Sequence, residues 1–314
     1  MTRSARRRCS SCARSASVRQ CSRRRRVVRS GSRVVRIGRT RRPRTSTPHH
    51  SRVGGLARAS HPGPAGAVTV AAMLLAATWD ASALHVVLIG VAALAGQLTV
   101  GWSNDLVDRD RDRRSGRRDK PLVTGDVGAA TVRTAIVVAA VVCGIASLSL
   151  GARPGGLHLA LVATGWAYNL GLKRTVLSWA PYAVCFGGLP VVVSLASRGE
   201  PGPWWILVAG ALLGVGAHLV NAVPDLEDDR RTGVVGLPHR LGAARSIDLA
   251  TALLLAGTVV TVVAPTGGVD VVGLVVLGAC AALLVAGRVL PGRASFRAAM
   301  GIALVDVVAL LLRS

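Results

Sequence analysis

The sequence predicts an all-α, polytopic membrane protein of about nine transmembrane helices, built as two four-helix repeats plus one helix. Three observations predict it. Apolar runs near the roughly 20 residues that a helix needs to cross a bilayer recur from about residue 64 to the C-terminus. Basic residues crowd into alternate connections between those runs, as the inside-positive rule requires. Two matching acidic stretches close the second and the sixth run, which points to a parallel internal repeat. Strands are disfavoured because open sheet edges cannot lie in lipid.

Residues 1–59 stand apart. They hold 19 Arg and no Asp or Glu, with Ser and short Val pairs but no sustained apolar period. Such a segment cannot build a core and is expected to be disordered. The net charge of +24 is therefore mostly a property of this tail. It lacks the apolar region of a secretory signal. Its readings are a start assigned too far upstream (the preferred one), attraction to anionic head groups, an organelle transit peptide, and nucleic-acid binding. No aromatic residue is there to stack on bases, so no nucleic-acid partner is expected. Cys9 and Cys12 form a lone Cys-x-x-Cys pair, too little for a zinc site. The membrane domain is expected to span 60–314.

The expected spans, in order, are 64–80, 82–103, 128–150, 155–172, 177–197, 203–223, 243–264, 268–287 and 295–312. After span two come Arg109, Arg111, Arg113, Arg114, Arg117, Arg118 and Lys120, with Arg133 at the start of span three. Lys173 and Arg174 follow span four. Arg230, Arg231, Arg240 and Arg245 follow span six, and Arg288, Arg293 and Arg297 follow span eight. The opposite side has only Arg153, Arg198 and Arg313. This alternation supports the span count independently of hydropathy. It places the N-terminus and every even-to-odd loop in the cytoplasm and the C-terminus outside. The expected location is a bacterial plasma membrane. Cys143, Cys185 and Cys280 fall within the apolar runs and read as small hydrophobes. Trp102, Trp166 and Trp179, near span ends, read as an interfacial belt.

The chain has 15 acidic residues, and eight of them sit in two stretches, 104–112 and 221–229. Each reads Asn-x-x-x-Asp-x-x-x-Asp. That spacing puts Asn104, Asp108 and Asp112 on one helical face, with Asp105 able to reach the same side. Asn221, Asp225 and Asp229 repeat the pattern, although Pro224 is expected to kink or unwind the second ladder. Carboxylates one turn apart repel, and a helix C-terminus disfavours them further. Such a cluster calls for compensating cations. Oxygen-only donors suit magnesium, which shares its coordination with phosphate oxygens. The expected metal-binding residues are Asn104, Asp108, Asp112, Asp225 and Asp229. Asp110, Glu227 and Asp228 lie off the common face and are expected only to balance arginines. Lys173 and Arg174, after Tyr168, and Arg118 and Lys120 are candidate phosphate contacts. Tyr168 is a candidate for facing a carbocation, and His218 is expected to pack.

At these residues the chain resembles the UbiA superfamily of membrane prenyltransferases. Asn104, Asp105, Asp108 and Asp112 match an NDxxDxxxD motif. Asp225 to Gly233, followed by Leu237-Pro238-His239-Arg240-Leu241-Gly242, is similar to the family's second acidic region, and Tyr168–Lys173 to its Tyr/Lys segment. The resemblance covers about residues 60–314. It implies nine helices around a cavity open to lipid, with a polar cap that holds magnesium and a prenyl diphosphate. Asp108, Asp112, Asp225, Asp229 and Lys173 would then be catalytic, and Asn104, Asp105, Tyr168, Arg174, Arg118, Lys120 and Asn221 would bind substrate. The implied reaction transfers an isoprenyl group to a hydrophobic or aromatic acceptor and releases pyrophosphate. The stretches Arg58–Pro62 and Thr232–Gly236 depart from the family pattern, so the acceptor stays open, and cyclisation without an acceptor is an alternative. A transporter of cations or small solutes is the competing class. It would place its acids near the bilayer midplane, not at helix ends.

Overall fold

The computed structural model describes residues 52–290 and 294–313. Within them the chain forms helices α1 (Arg52–Ala59), α2 (Pro62–Thr78), α3 (Ala83–Arg114), α4 (Pro121–Thr124), α5 (Ala129–Ser149), α6 (Ala152–Leu170), α7 (Ala180–Arg198), α8 (Trp204–Ala222), α9 (Leu226–Arg231), α10 (Leu237–Leu241), α11 (Ala243–Val263), α12 (Val271–Val289) and α13 (Ala294–Arg313). Single 3-10 turns cover Leu172–Arg174, Val176–Trp179 and Val223–Asp225. No strand occurs among the described residues. The nine longest helices fall where the nine spans are expected. Seven of them are long and apolar enough to cross a membrane, and α2, at 17 residues, is shorter. The other helix, α6, carries Arg153, His158 and Asn169.

Side-chain distribution along α5 shows what solvent the bundle is built for. Val137, Val141, Ile145 and Leu148 fall on one face and are each more than half exposed. Val132, Ile136, Ala139, Cys143 and Ala146 face inward and are buried. A helix apolar on both its outer and inner faces belongs in lipid. The protein is accordingly an integral membrane protein. Consecutive helices pack on one another, from α2 on α3 and α3 on α5 through α7 on α8 to α12 on α13, and α13 also reaches α2. Cys143 and Cys280 are buried free thiols and Cys185 is a half-buried one, as expected of small core residues.

The structure corrects two expectations. The composition predicts a disordered tail to residue 59, yet 52–59 form α1. Leu56 and Ala59 of that helix join a cluster with Trp102, Leu122 and Val127, and Arg58 pairs with Asp126 at 2.6 Å. The rest of the tail lies outside the described residues. Trp102 is a core residue and not an interfacial one: it is buried, and its Nε1 donates to Leu56 O at 2.9 Å. As the i, i+4 spacing predicts, the helix of span two runs on to Arg114, so the whole first acidic ladder is helical.

Candidate active site

The last turns of α3 carry the first ladder. Because the helix is continuous, Asn104 and Asp108 share a face, and that face meets the short 3-10 turn after α6. Lys173, on that turn, is buried. Its Nζ donates to both oxygens of Asp108, at 2.8 and 2.6 Å, and to Asn104 Oδ1 at 3.2 Å. Burial pulls the Lys173 ammonium below the ordinary lysine range, while the Asp108 carboxylate beside it pulls the other way. Asp112, one turn further on, is buried with the Arg111 Nε 3.8 Å away.

Asp105 does not join this group, although the spacing allowed it. It is buried against the entry to α2. Its Oδ1 accepts from Lys120 Nζ at 2.6 Å and lies 3.1 Å from His61 Nε2, while Oδ2 is buried without a hydrogen-bond partner. His61 holds this place from a left-handed backbone conformation at the start of α2. Lys120 thus pairs directly with Asp105.

The second ladder is unwound where expected. Pro224 has no amide hydrogen to continue α8 and clashes with the preceding turn. The α-helix therefore stops at Ala222, a 3-10 turn carries Asp225, and α9 restarts at Leu226 with Asp229 on it. Asn221 is exposed and Asp225 about half exposed.

Two arginines outside the expected set bring the ladders together. Arg111 donates through Nη2 to Asp108 Oδ2 at 2.9 Å and places Nη1 3.8 Å from Asp229 Oδ1. Arg117 grips Asp119 with two hydrogen bonds, at 3.0 and 2.9 Å, and lies 3.7 Å from Asp225 Oδ1. The Arg117–Asp119 pair holds the Asp119 carboxyl below its usual range. Arg118 and Arg174 are exposed and are not drawn into this group. Asp110, Glu227 and Asp228 are exposed; Asp110 and Glu227 pair with Arg109 and Arg231, as balancing acids should. The inward turn of Arg117 follows from the bend at Ser115–Gly116, where Gly116 adopts a positive φ and Arg117 N–H bonds back to Asp112 O.

Below the acids lies an aromatic group. Tyr168 meets Tyr182 edge-on with centroids 5.3 Å apart. His218 lies 4.5 Å from the Tyr182 ring and 5.9 Å from that of Tyr168. His218 packs here as expected, buried and with its hydrogen bonding satisfied by Ser178 Oγ, 3.1 Å from its Nε2.

The donor set Asn104, Asp108, Asp112, Asp225 and Asp229 is all oxygen. Among the described residues, no three carboxylate, imidazole or thiol groups converge on one point. Cationic side chains stand between the carboxylates instead, and the buried Arg111 Nη1 has no hydrogen-bond partner there. The all-oxygen chemistry of this donor set is the kind that suits magnesium, an ion that completes its coordination with water and phosphate oxygens.

A bundle of long apolar helices with facing acidic ladders at one end defines a membrane protein with a polar head-group site. The chain belongs to the UbiA prenyltransferase family, whose sequence profile matches residues 65–300. It is 31% identical over 192 residues to the bacteriochlorophyll synthase 33 kDa chain of Cereibacter sphaeroides, covering 56% of this chain and 61% of that protein. It is 29% identical over 136 residues to 4-hydroxybenzoate octaprenyltransferase of Klebsiella pneumoniae, covering 42% and 46%. The matched stretches thus span less than two thirds of these relatives. A UbiA homolog from Archaeoglobus fulgidus bound to GPP and Mg2+ superposes with a TM-score of 0.63 at 16% identity, over 82% of this chain and 98% of that one. A digeranylgeranylglyceryl phosphate synthase gives a TM-score of 0.64 at 14% identity, over 83% and 98%. At these identities the likeness establishes the fold.

Proposed function

We propose that the protein transfers an isoprenyl group from a prenyl diphosphate to a lipophilic or aromatic acceptor, with magnesium, releasing pyrophosphate. The observation that carries this reading is the approach of the two acidic ladders across Arg111–Asp229 and Arg117–Asp225, with Lys173 buried on Asp108. The names of the relatives and the GPP and Mg2+ bound to a homologous structure support it.

Asn104, Asp108, Asp112, Asp225 and Asp229 hold the ions. Bound magnesium neutralises diphosphate oxygens and so makes pyrophosphate a better leaving group. Lys173, Arg111 and Arg117, which face carboxylates, turn part of their hydrogen-bonding capacity to phosphate oxygens. Arg118, Arg174 and Lys120 add positive field around the mouth, and Asn104 and Asn221 offer neutral polar contacts. Asp105, fixed by Lys120 and His61, braces the entry to α2. Tyr168 presents its ring beneath the head group, where the allylic carbon carries developing positive charge. The C–O bond breaks with its electron pair leaving on pyrophosphate. The allylic carbon then bonds to a nucleophilic carbon or oxygen of the acceptor, which releases a proton. The isoprenoid tail lies among the apolar helices. The site faces the cytoplasm of a bacterial cell, the N-terminus lies on the same side and the C-terminus outside.

The test is pyrophosphate release by the purified protein with magnesium, prenyl diphosphates of several lengths and an acceptor panel. Asp108→Ala and Asp225→Ala should abolish it. Failure to bind any prenyl diphosphate, together with ion-coupled uptake into vesicles, would favour the transporter reading.

A further inference from the structure

The loop after the second ladder carries a buried imidazole that the reaction above leaves unused. His239 lies on α10 and is only 5% exposed. Its Nδ1 accepts the backbone N–H of Gly236 at 3.1 Å. A backbone amide can only donate, so Nδ1 carries no hydrogen and the ring proton sits on Nε2. Nε2 is 3.3 Å from Asp229 Oδ2, and that proton is therefore donated to the carboxylate. The other oxygen, Oδ1, is the one that faces Arg111.

The platform under His239 is fixed from several sides. Its own carbonyl accepts a hydrogen bond from Arg230, the residue after Asp229. Leu237 N–H donates to Ser178 Oγ at 3.0 Å, and Ser246 Oγ donates to Pro238 O at 3.3 Å. Gly236 sits so close to the Lys173 turn that a Cβ on it would come within 2.7 Å of Lys173 O and of Ser178 Oγ. The segment that aims Asp229 therefore rests on the backbone that presents Lys173.

We propose that His239 is a positioning residue for Asp229: its Nε2–H holds Oδ2 and so presents Oδ1 to the first ladder. The proposal rests on the magnesium–diphosphate reading of the site. Asp229 stands on a six-residue helix beyond the Pro224 break, where His239, at 3.3 Å, is a nearer partner for its carboxylate than Arg111, at 3.8 Å. A hydrogen bond to a carboxylate ligand orients it before the ion arrives, which reduces the ordering cost of binding.

His239 also caps α10 through Gly236, so the test must separate the two roles. His239→Asn keeps an acceptor near the Nδ1 position but is too short to reach Asp229. Mn2+ binding in the presence of inorganic pyrophosphate, read by the electron paramagnetic resonance of free Mn2+, reports the site without turnover. Positioning predicts that His239→Asn weakens Mn2+ binding by about 10- to 100-fold. The same substitution in an Asp229→Asn background should add no further loss, and this holds as the criterion even where His239→Asn lowers the melting temperature. Unchanged Mn2+ affinity in His239→Asn, or additive losses in the double variant, overturns the positioning role and leaves the prenyl-transfer reading intact. Wild-type protein that holds no Mn2+ with pyrophosphate overturns both.

Discussion

Arg111 and Asp229 meet across the two acidic ladders, with Nη1 of one 3.8 Å from Oδ1 of the other. The same guanidinium bonds Asp108 within its own ladder. One side chain from the first motif thus bridges to the second and offsets the repulsion between them. It occupies the place of charge compensation that the acids require, and its Nη1 is buried with a donor to spare.

This relationship predicts a stability that depends on the cation supplied. Arg111→Met leaves Asp108, Asp112 and Asp229 short of a positive partner. Breaking a buried charge pair from one side costs about 3 kcal/mol. The variant should melt well below the wild type in a chelator, and millimolar magnesium should restore most of the difference. An equal deficit with and without magnesium would show that Arg111 acts on packing alone.

Pro224 predicts the opposite separation, of function from stability. Pro224→Ala restores the amide that lets α8 continue through Asp225 as regular helix. The 3-10 turn would be lost, and Asp225 and Asp229 would rotate relative to Arg117 and His239. Turnover should fall by at least about tenfold while the melting temperature stays level or rises, because proline in a helix interior is unfavourable. Unchanged kinetics would mean that the break does not aim the second ladder.

The helices and the ladders were legible because each rests on a short-range rule. Apolar length sets the spans, and i, i+4 spacing sets a shared face. Pro224 marked the break by its covalent structure. What escaped was decided by partners far away in sequence. Asp105 is within reach of the Asp108 side by spacing, yet Lys120 and His61 hold it on the other. Arg117 and Arg118 are adjacent and alike, and only the bend at Gly116 turns the first inward. His239 lay inside a motif, but its role needs both the Gly236 amide and Asp229 ten residues back. Helix α1 was hidden because Arg and Gly surround the two apolar residues, Leu56 and Ala59, that dock it.

The entry to α2 predicts a steric result. A Cβ on Gly101 would stand 2.6 Å from Ser60 O, a backbone atom that cannot swing aside. Gly101→Ala should push His61 off Asp105 and cost about 1–3 kcal/mol, as overpacking does. Gly144 is the control. It lies in α5 with no atom within 4 Å of its missing Cβ, so Gly144→Ala should be neutral or slightly stabilising. Thermal melts of the two variants in the same detergent compare them, and equal losses would refute the contact.

Arg313 predicts a pH dependence at the opposite end of the bundle. It bonds the carbonyls of Thr261 and Val262, at 2.9 and 2.8 Å, and Asp270 at 2.6 Å. Asp270 in turn caps α12 by accepting the Gly273 N–H. The Arg313 hydrogen bond holds the Asp270 carboxyl below its usual range. A carboxyl whose folded pKa is depressed adds stability above its unfolded value of about 3.9 and loses it as pH falls through the folded pKa. The melting-temperature gap between wild type and Asp270→Asn should therefore be present at neutral pH and close in strong acid. A gap that stays constant would remove the ion pair from the account.

Lys173 and Asp108 predict a cycle in which stability and chemistry part company. Lys173→Met leaves a carboxylate that is 2% exposed with Arg111 alone of its two cationic partners, at a cost of about 3 kcal/mol, the low end for breaking a buried charge pair. Under the proposed reaction it also removes a donor to the leaving group, a loss worth about 10²–10³ in turnover. Adding Asp108→Asn neutralises the stranded charge, so the double variant should regain much of the lost stability. It should regain none of the activity if, as proposed, Asp108 holds metal and Lys173 contacts phosphate, because both are then gone. Melting temperature and pyrophosphate release, measured on both single variants and the double, close the cycle. If activity returned along with stability, Lys173 would be a structural counterion to Asp108, and phosphate contact would fall to Arg111 and Arg117.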